Sequence, residues 1–293
     1  MKKIAVLAIT PNGARLGINL AGQFSKIMDL YLKGSLRDII GNPTSNTFFY
    51  EENFPKQIQN LWSRYQGIIF IMAAGIVVRA VAPFLKNKSQ DPAVVVIDEQ
   101  GRFAISLLSG HLGRANQLCK EVAGSLGAVP VITTATDAAS IEAIDAWAAR
   151  FSLSIEPLAY IKHFNMSLLQ GNPCLIWHEA YFNIETSANT QIMIKKLPYT
   201  GQDQNILHGV ITPQQVLSDL PEPVLYLRPK ILSIGIGCKR GTPARQIIEA
   251  INEVFKENNL SPLCIKHLAS LDIKKDEPGL MEVAKIIGCP VHF

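Results

Sequence analysis

The chain has 293 residues, 48% hydrophobic and 18% charged, with a formal net charge of +4. This composition excludes a disordered chain; the mild net charge argues neither for nor against nucleic acid, and any anionic ligand must be met by local clusters of cations. The five cysteines are odd in number with no Cys-x-x-Cys pair, which indicates neither a disulfide framework nor a zinc site and makes a reducing cytoplasm the expected setting.

The opening MKKIAVLAIT has a charged head, but Pro11, Asn12 and Gly13 cut its apolar run short, predicting a strand over 4–9 rather than a signal peptide. No stretch approaches the roughly eighteen apolar residues that a membrane span needs, so a soluble protein is expected. Leu16, Leu20, Phe24, Ile27 and Leu30 recur at helical spacing and predict one helix through to about residue 32. A weaker strand follows around 47–50, then a helix marked by Ile58, Leu61, Trp62 and Tyr65 and a clear strand over 68–72. Residues 76–81 are expected to be helical until Pro83 breaks them. The runs 94–97 and 102–108 flank Asp98-Glu99-Gln100-Gly101, the pattern of a hairpin turn in an otherwise parallel sheet. After a helix and a strand over 129–132, Asp137 is expected to cap a helix with Ile141, Ile144, Ala148 and Phe151 on its apolar face.

This predicts an α/β chain in three parts. Residues 1–150 form a mainly parallel three-layer domain and 151–222 a small α+β module. Residues 223–293 form an incomplete α/β domain, which a truncated sequence would explain. In the middle part a helix over 158–169, strands over 174–177, 191–194 and 206–211, and a short helix from Pro213 are expected. Pro221, Pro223 and Pro229 mark a linker around a short strand over 224–227. The last part opens on a strand over 230–237, with Thr242 as the expected cap of a helix that has Pro243 at its first position. Short strands near 263–265 and 290–293 flank a helix over 282–287.

Chemistry concentrates where strands end and helices begin, the ligand edge of parallel sheets. His111 stands between Gly110 and Gly113 just before a helix start, after Ser109. There it serves either as a turn residue that caps the helix or as a general base beside amides that favour an anion. Thr133, Thr134, Thr136 and Asp137 end the next strand. Asp137 alone satisfies a cap, and three further hydroxyls suit a polar ligand. Gly75 and Arg79 offer another strand–helix junction with a cation one turn in, whereas Lys86, Lys88 and Asp91 read first as a solvated loop. The segment Gly235-Ile236-Gly237-Cys238-Lys239-Arg240-Gly241 misses the dinucleotide fingerprint by one residue, but a Gly-flanked Lys-Arg pair suits an anion. Neither a phosphate-binding Gly-x-x-x-x-Gly-Lys-Ser/Thr loop nor a Gly-x-Ser-x-Gly elbow occurs. His163, His178, His208, His267 and His292 are scattered and default to structural roles.

Three stretches together resemble the cobalamin biosynthesis protein G family, CbiG. They are GIVVRAVAPFLKNKSQDPAVVVIDEQG, then FAISLLSGHLGRANQL with VITTATDA, and IGIGCKRGTP with LASLDIKKDEPGLMEVAKIIG. One departure stands out: the family usually has Gly-Gly-Ala-Asn where this chain has Gly113-Arg114-Ala115-Asn116. The resemblance also implies a C-terminal domain that continues further.

What the resemblance implies is a cobalt-precorrin-5A hydrolase of the anaerobic route to the corrin ring. It opens the ring A δ-lactone and releases the C20 fragment as acetaldehyde to give cobalt-precorrin-5B. The partner is then an anionic cobalt-tetrapyrrole, with transient contact to neighbouring enzymes of the pathway, and no cofactor is required because the cobalt travels in the substrate. No catalytic set comes with the resemblance, so the roles follow from chemistry. His111 is the expected base, with Asp137 orienting the imidazole or the water. Gly75, Arg79, Lys88, Ser109, Gly110, Gly113, Arg114, Asn116, Thr133, Thr134, Thr136, Lys239, Arg240 and Gly241 are the expected substrate contacts, on corners converging on one trough. The rival readings are a non-catalytic carrier of the corrinoid intermediate and an unrelated nucleotide-dependent enzyme.

Overall fold

Apolar runs too short for a helical stripe become strands buried on both faces, and helices bring their apolar stripes down on either side. A computed structural model describes residues 4–41, 43, 45–87, 90–110, 113–179, 182, 184, 191–199, 201, 206–217 and 220–293. The chain parts into two compact units, Met1–Ser140 and Ile141–Phe293.

The first unit runs β1 (Ile4–Ala8), α1 (Pro11–Gln23), β2 (Met28–Lys33), α2 (Arg37–Ile40), β3 (Thr47–Tyr50), α3 (Phe54–Trp62) and β4 (Gly67–Ile71). It continues through α4 (Ala74–Val81), β5 (Ala93–Ile97), β6 (Phe103–Leu108), α5 (Ala115–Leu126), β7 (Val129–Val131) and α6 (Ala135–Ala138). The strands make one seven-stranded sheet in the order β3-β2-β1-β4-β5-β6-β7. Ala14, Leu20, Leu118 and Val122 of α1 and α5 cover one face. Ile58, Leu61, Val77 and Val81 of α3 and α4 cover the other. Each fully buried Leu, Ile or Val contributes about 1.5–3 kcal/mol, so this three-layer core dominates the stability of the unit.

The helix expected through residue 32 stops at Gln23, and β2 follows. Leu30 and Leu32 do fall at helical spacing from Phe24 and Ile27, but β2 lies between β1 and β3 and buries both its faces. Such a strand carries no alternation to betray it. Its Asp29 is buried and accepts from the Tyr65 hydroxyl at 2.7 Å, which in turn lies 2.7 Å from the Tyr31 hydroxyl. Burial, then these hydrogen bonds, pushes the Tyr65 phenol far above its usual range.

The direction of the sheet changes at the turn after β5. Strands β1 to β5 are parallel, β6 is antiparallel to β5, and β7 is parallel to β6. The Asp98 carboxylate organises the turn by accepting from the amides of Gln100, Arg102 and Phe103 at 3.3, 2.8 and 2.7 Å. Burial pushes this carboxyl up, but those amides together with the Arg102 charge outweigh it and hold it below its ordinary value.

The second unit begins with α7 (Ile144–Arg150), β8 (Leu153–Glu156), α8 (Ile161–Leu169), β9 (Cys174–His178), β10 (Ile192–Lys196), β11 (Leu207–Ile211) and β12 (Val224–Pro229). These strands form a five-stranded sheet in the order β10-β9-β11-β12-β8, with β8 antiparallel to β12. Then β13 (Leu232–Gly235), α9 (Ala244–Glu257), β14 (Ile265–Ala269), α10 (Pro278–Ile287) and β15 (Val291–His292) make a three-stranded parallel sheet. The first unit thus closes at Ser140 rather than at residue 150. The expected linker strand, β12, is an integral member of the five-stranded sheet, so the change of sheet falls between Pro229 and Leu232.

Among the described residues up to β12, no helix follows Pro213. The carbonyls of Thr212, Gln214 and Gln215, which would close its first turn, accept from the buried Arg228 guanidinium. Arg228 is 1% exposed, pairs with Glu156 and has the Tyr226 ring 4.3 Å from its Cζ. Ser261, leading into β14, donates to the same Glu156 oxygen at 3.2 Å, so one ion pair ties both sheets of this unit together.

Two outcomes follow. Asp98→Asn is expected to cost about 1–2 kcal/mol at neutral pH. The folded-state pKa lies below the unfolded value of about 3.9, so the stabilisation is present above that value and is lost as pH falls through the folded one. Urea midpoints of the wild type and variant therefore converge on acidification, and a gap independent of pH counts against the turn assignment. Arg228→Met strands three carbonyls and a carboxylate and is expected to cost about 3 kcal/mol. Tryptophan fluorescence would read this, since Trp147 and Trp177 both lie in the second unit.

Candidate active site

The reversal at Asp98 decides which expected corners meet. Leu108, at the end of β6, pairs with Val94 at the start of β5. The loop after β6 therefore opens at the amino edge of β1 to β5. The Lys86–Asp91 loop enters β5 at this same edge, and the Ser109 hydroxyl donates to the Asp91 carbonyl at 3.1 Å. Gly75 and Arg79 follow the carboxyl end of β4, where Arg79 donates to the Gly75 carbonyl at 3.1 Å. They lie at the opposite edge, where the strand order reverses between β1 and β4. The single trough expected from the sequence is corrected here, because five strand residues at about 3.3 Å each, and the core they carry, separate the two edges.

What gathers at the β6–β7 edge is a hydrogen-bonded chain around Asn116, a buried residue on the first turn of α5. Its Oδ1 accepts from the Ser106 hydroxyl at 2.6 Å. Its Nδ2 donates to Thr134 Oγ1 at 3.1 Å and to Asp137 Oδ2 at 2.9 Å. The Thr134 hydroxyl donates to the same carboxylate oxygen at 2.7 Å, and Lys120 Nζ reaches Oδ1 at 3.3 Å. Asp137 is accordingly not the cap of a long helix, as expected. It lies inside the short α6, and the next helix starts at Ile144 with Ala143 at its cap. Thr136 is buried and Thr133 exposed. Ser106 and Lys120 were missed by the sequence reading, though each leaves a signal. Ser106 is a lone hydroxyl in an apolar strand, and Lys120 lies one turn beyond Asn116 on one helix face.

The loop between β6 and α5 is shaped by its own backbone. Ser109 and Arg114 both adopt left-handed conformations, with φ of 59° and 65°. The first helical amides, of Ala115 and Asn116, donate to the carbonyls of Ser109 and Gly110 at 3.1 and 3.0 Å. These two amides are therefore not open to an anion, contrary to the expected cradle. A Cβ at Gly113 would stand 2.4 Å from Ser109 Cβ, and one at Gly110 would stand 2.9 Å from Asn116 Oδ1. His111, the expected base, and Lys88 lie outside the described residues. Cys119, beneath the loop, donates to the Ala104 carbonyl, and burial pushes its thiol up, so it acts as packing.

Lys239, Arg240 and Gly241 belong to the second unit, and there too the anion cradle is partly filled from within. The Gly241 amide donates to the buried Glu277 at 2.6 Å, beside a cleft of about 390 Å³ lined by Arg240, Ile273, Asp276 and Pro278. Thr242 does not cap α9. Its hydroxyl donates to the Lys239 carbonyl in a tight turn, and Pro243 holds the cap position.

Residues 56–137 match the family described as cobalamin synthesis G N-terminal, and residues 232–293 match cobalamin synthesis G C-terminus. A cobalt-precorrin-5A hydrolase from Priestia megaterium is 34% identical over 97% of this chain and 78% of its own length. One from Salmonella typhimurium is 34% identical over 99% and 81%. A solved structure from Sulfolobus solfataricus, described as a homologue of cobalamin biosynthesis protein G, covers 99% of this chain and 78% of its own, with 22% identity and a TM-score of 0.45. No helix among the described residues is long and apolar enough to cross a membrane.

Two substitutions in the β6–α5 loop are expected to act in opposite directions. Arg114→Gly relaxes a left-handed residue and is expected to stabilise the protein by about 1 kcal/mol. Gly113→Ala drives a methyl into Ser109 and is expected to cost about 1–3 kcal/mol. Thermal melts of the two variants check both signs, and a destabilised Arg114→Gly would contradict the loop geometry.

Proposed function

The chain belongs to the cobalamin synthesis G family, and on that footing we propose that it is a cobalt-precorrin-5A hydrolase. It opens the ring A δ-lactone of its cobalt-tetrapyrrole substrate and releases the C20 fragment as acetaldehyde. The observation that carries this reading is the identity to two hydrolases over nearly the whole chain and about four-fifths of theirs. Relatives named as hydrolases also favour turnover over the carrier reading.

The β6–β7 edge suits lactone hydrolysis. Water must lose a proton as it attacks the carbonyl, and the oxygen that develops charge needs donors. In this proposal His111 takes the proton and Asp137 orients the imidazole or the attacking water. Asp137 can do this because Asn116 and Thr134 hold one of its oxygens and Lys120 lies against the other. Collapse of the tetrahedral adduct frees the oxygen on C20. Deprotonation of that hydroxyl then lets its carbon become the acetaldehyde carbonyl as the bond to the ring breaks; the bonding pair passes to the macrocycle, which takes up the proton that the same histidine carries. Arg114, exposed at the loop, and Lys86 lie at this edge for the carboxylate arms of the macrocycle. Ser109, Gly110, Gly113 and Thr133 line the same approach, whereas Gly75 and Arg79 do not.

The test is anaerobic incubation with cobalt-precorrin-5A and detection of acetaldehyde by mass spectrometry. His111→Gln is expected to lower release by about 10²–10⁴-fold with substrate binding kept, and Asp137→Asn to lower the rate with a smaller change in KM. Near-normal release from His111→Gln refutes the base, and no release from the wild type refutes the hydrolase.

A further inference from the structure

Among the described residues, the three-stranded sheet of the second unit has a packed core on one face only. Leu232, Ile234, Ile265, Leu268 and Val291 point into the core formed with α9 and α10. A register shift at Lys266 keeps Ile265 and Leu268 on the core face, and from His267 onward successive side chains alternate, so the residues between the core positions point the other way. The register aligns Ser233 with His267, Gly235 with Ala269, and Ala269 with His292, so these residues share the uncovered face. Ser233, Gly235 and His292 are exposed, and His267 and Ala269 are half-buried.

Two properties of this face point to one kind of ligand. Serine, glycine and alanine leave it low and flat, and three strands at about 4.8 Å spacing make it about 10 Å across. From this floor rise two imidazoles on neighbouring strands, with ring centroids 4.6 Å apart and planes at 74°. His267 stands on the central strand, and His292 packs edge-on against it. Cations stand in the segments that carry these strands, with Asp276 and Glu277 beside Arg240 and Gly241. Segments 230–241, 258–271 and 288–293 contain Lys230, Lys239, Arg240 and Lys266 and no Asp or Glu. The carboxylates of this part of the chain lie on α9 and α10 and in the segment 272–277.

A flat floor, a central imidazole and cations on the segments that carry the strands match a planar metal macrocycle with carboxylate arms. Imidazole is the commonest protein ligand of first-row transition metals. A cobalt ion held in a ring keeps its open positions above and below the plane. We infer that His267 donates a ring nitrogen to the cobalt of the substrate as an axial ligand, and that His292 is a positioning residue that holds the His267 ring upright. This rests on the proposed cobalt-tetrapyrrole substrate. It adds a binding face in the second unit that is distinct from the β6–β7 edge of the first.

The experiment uses the full chain and cob(II)inamide, a cobalt corrinoid with no nitrogenous base of its own, under anaerobic conditions. Nitrogen ligation splits the cobalt EPR lines into triplets, and ¹⁵N-histidine labelling turns them into doublets. The expected result is triplet splitting with the wild type, its loss in both His267→Ala and His267→Gln, and corrinoid binding weaker by about 10- to 100-fold. His292→Ala is expected to keep the splitting with weaker binding. Cobinamide that does not bind, that binds without nitrogen splitting, or that keeps its splitting in a folded His267 variant overturns the inference. Acetaldehyde release by the same preparations is scored separately, so a failed axial ligand and a failed hydrolase are told apart.

Discussion

Strand β6 leaves the Asp98–Gly101 turn antiparallel to β5, and every residue downstream in the first unit inherits that reversal. The turn is held by one carboxylate taking three amides, and Gly101 turns the chain through a φ of 67°. Leu16 of α1 packs beneath it, within 3.2 Å of where a Cβ would stand. Had the chain crossed over to a parallel β6, the Ser109–Gly113 loop and the Thr133–Asp137 corner would lie beside Gly75 and Arg79. Instead β6 and β7 deliver them to the other edge, next to the loop that enters β5.

The sheet therefore presents two polar edges with a packed core between them. The carboxyl edge of β1 and β4 is where ligands settle in open parallel sheets, and it holds Gly75 and Arg79. The amino edge gains its chemistry only because two strands run backwards, and it holds the hydrogen-bonded chain of Ser106, Asn116, Thr134 and Asp137. Asn116 is the joint of that network. Its amide group both accepts and donates, so it connects a hydroxyl on β6 to a carboxylate beyond β7, which a carboxylate or a purely apolar residue at this position could not do. Burial makes the arrangement demanding, since a buried amide with one partner missing costs about 1–3 kcal/mol.

Much of this was legible in the sequence. The β-branched runs of β4 and β5, the Asp98–Gly101 turn and the Gly-rich start of α5 read correctly because each has a local cause. Strand β2 did not, because its spacing imitates a helix and only its neighbours β1 and β3 decide otherwise. Strand β12 was read as a strand, but the prolines around it made it a linker rather than a member of the five-stranded sheet. The absent helix after Pro213 was decided by Arg228, fifteen residues on, whose guanidinium claims the carbonyls. The candidate site shows the same division. Asn116, Thr134 and Asp137 were named from their positions at strand ends. Their meeting, and the separation from Arg79, depends on strand direction across the whole sheet, which no local spacing carries.

The β6–α5 loop shows how the site is held without help from a ligand. Ser109 and Arg114 both occupy left-handed conformations that cost an L-residue about 1–2 kcal/mol, and Gly113 has no room for a side chain. Such strain persists only where the surroundings over-determine it. Here the carbonyls of Ser109 and Gly110 take the first two amides of α5, and the Ser109 hydroxyl is tied to the Asp91 carbonyl. The loop is thus closed on itself at three points before any substrate arrives. Groups fixed in advance need no reorganisation when charge develops on the substrate. The amides spent on this closure are lost as anion donors, so the task of meeting carboxylates passes to side-chain cations such as Arg114.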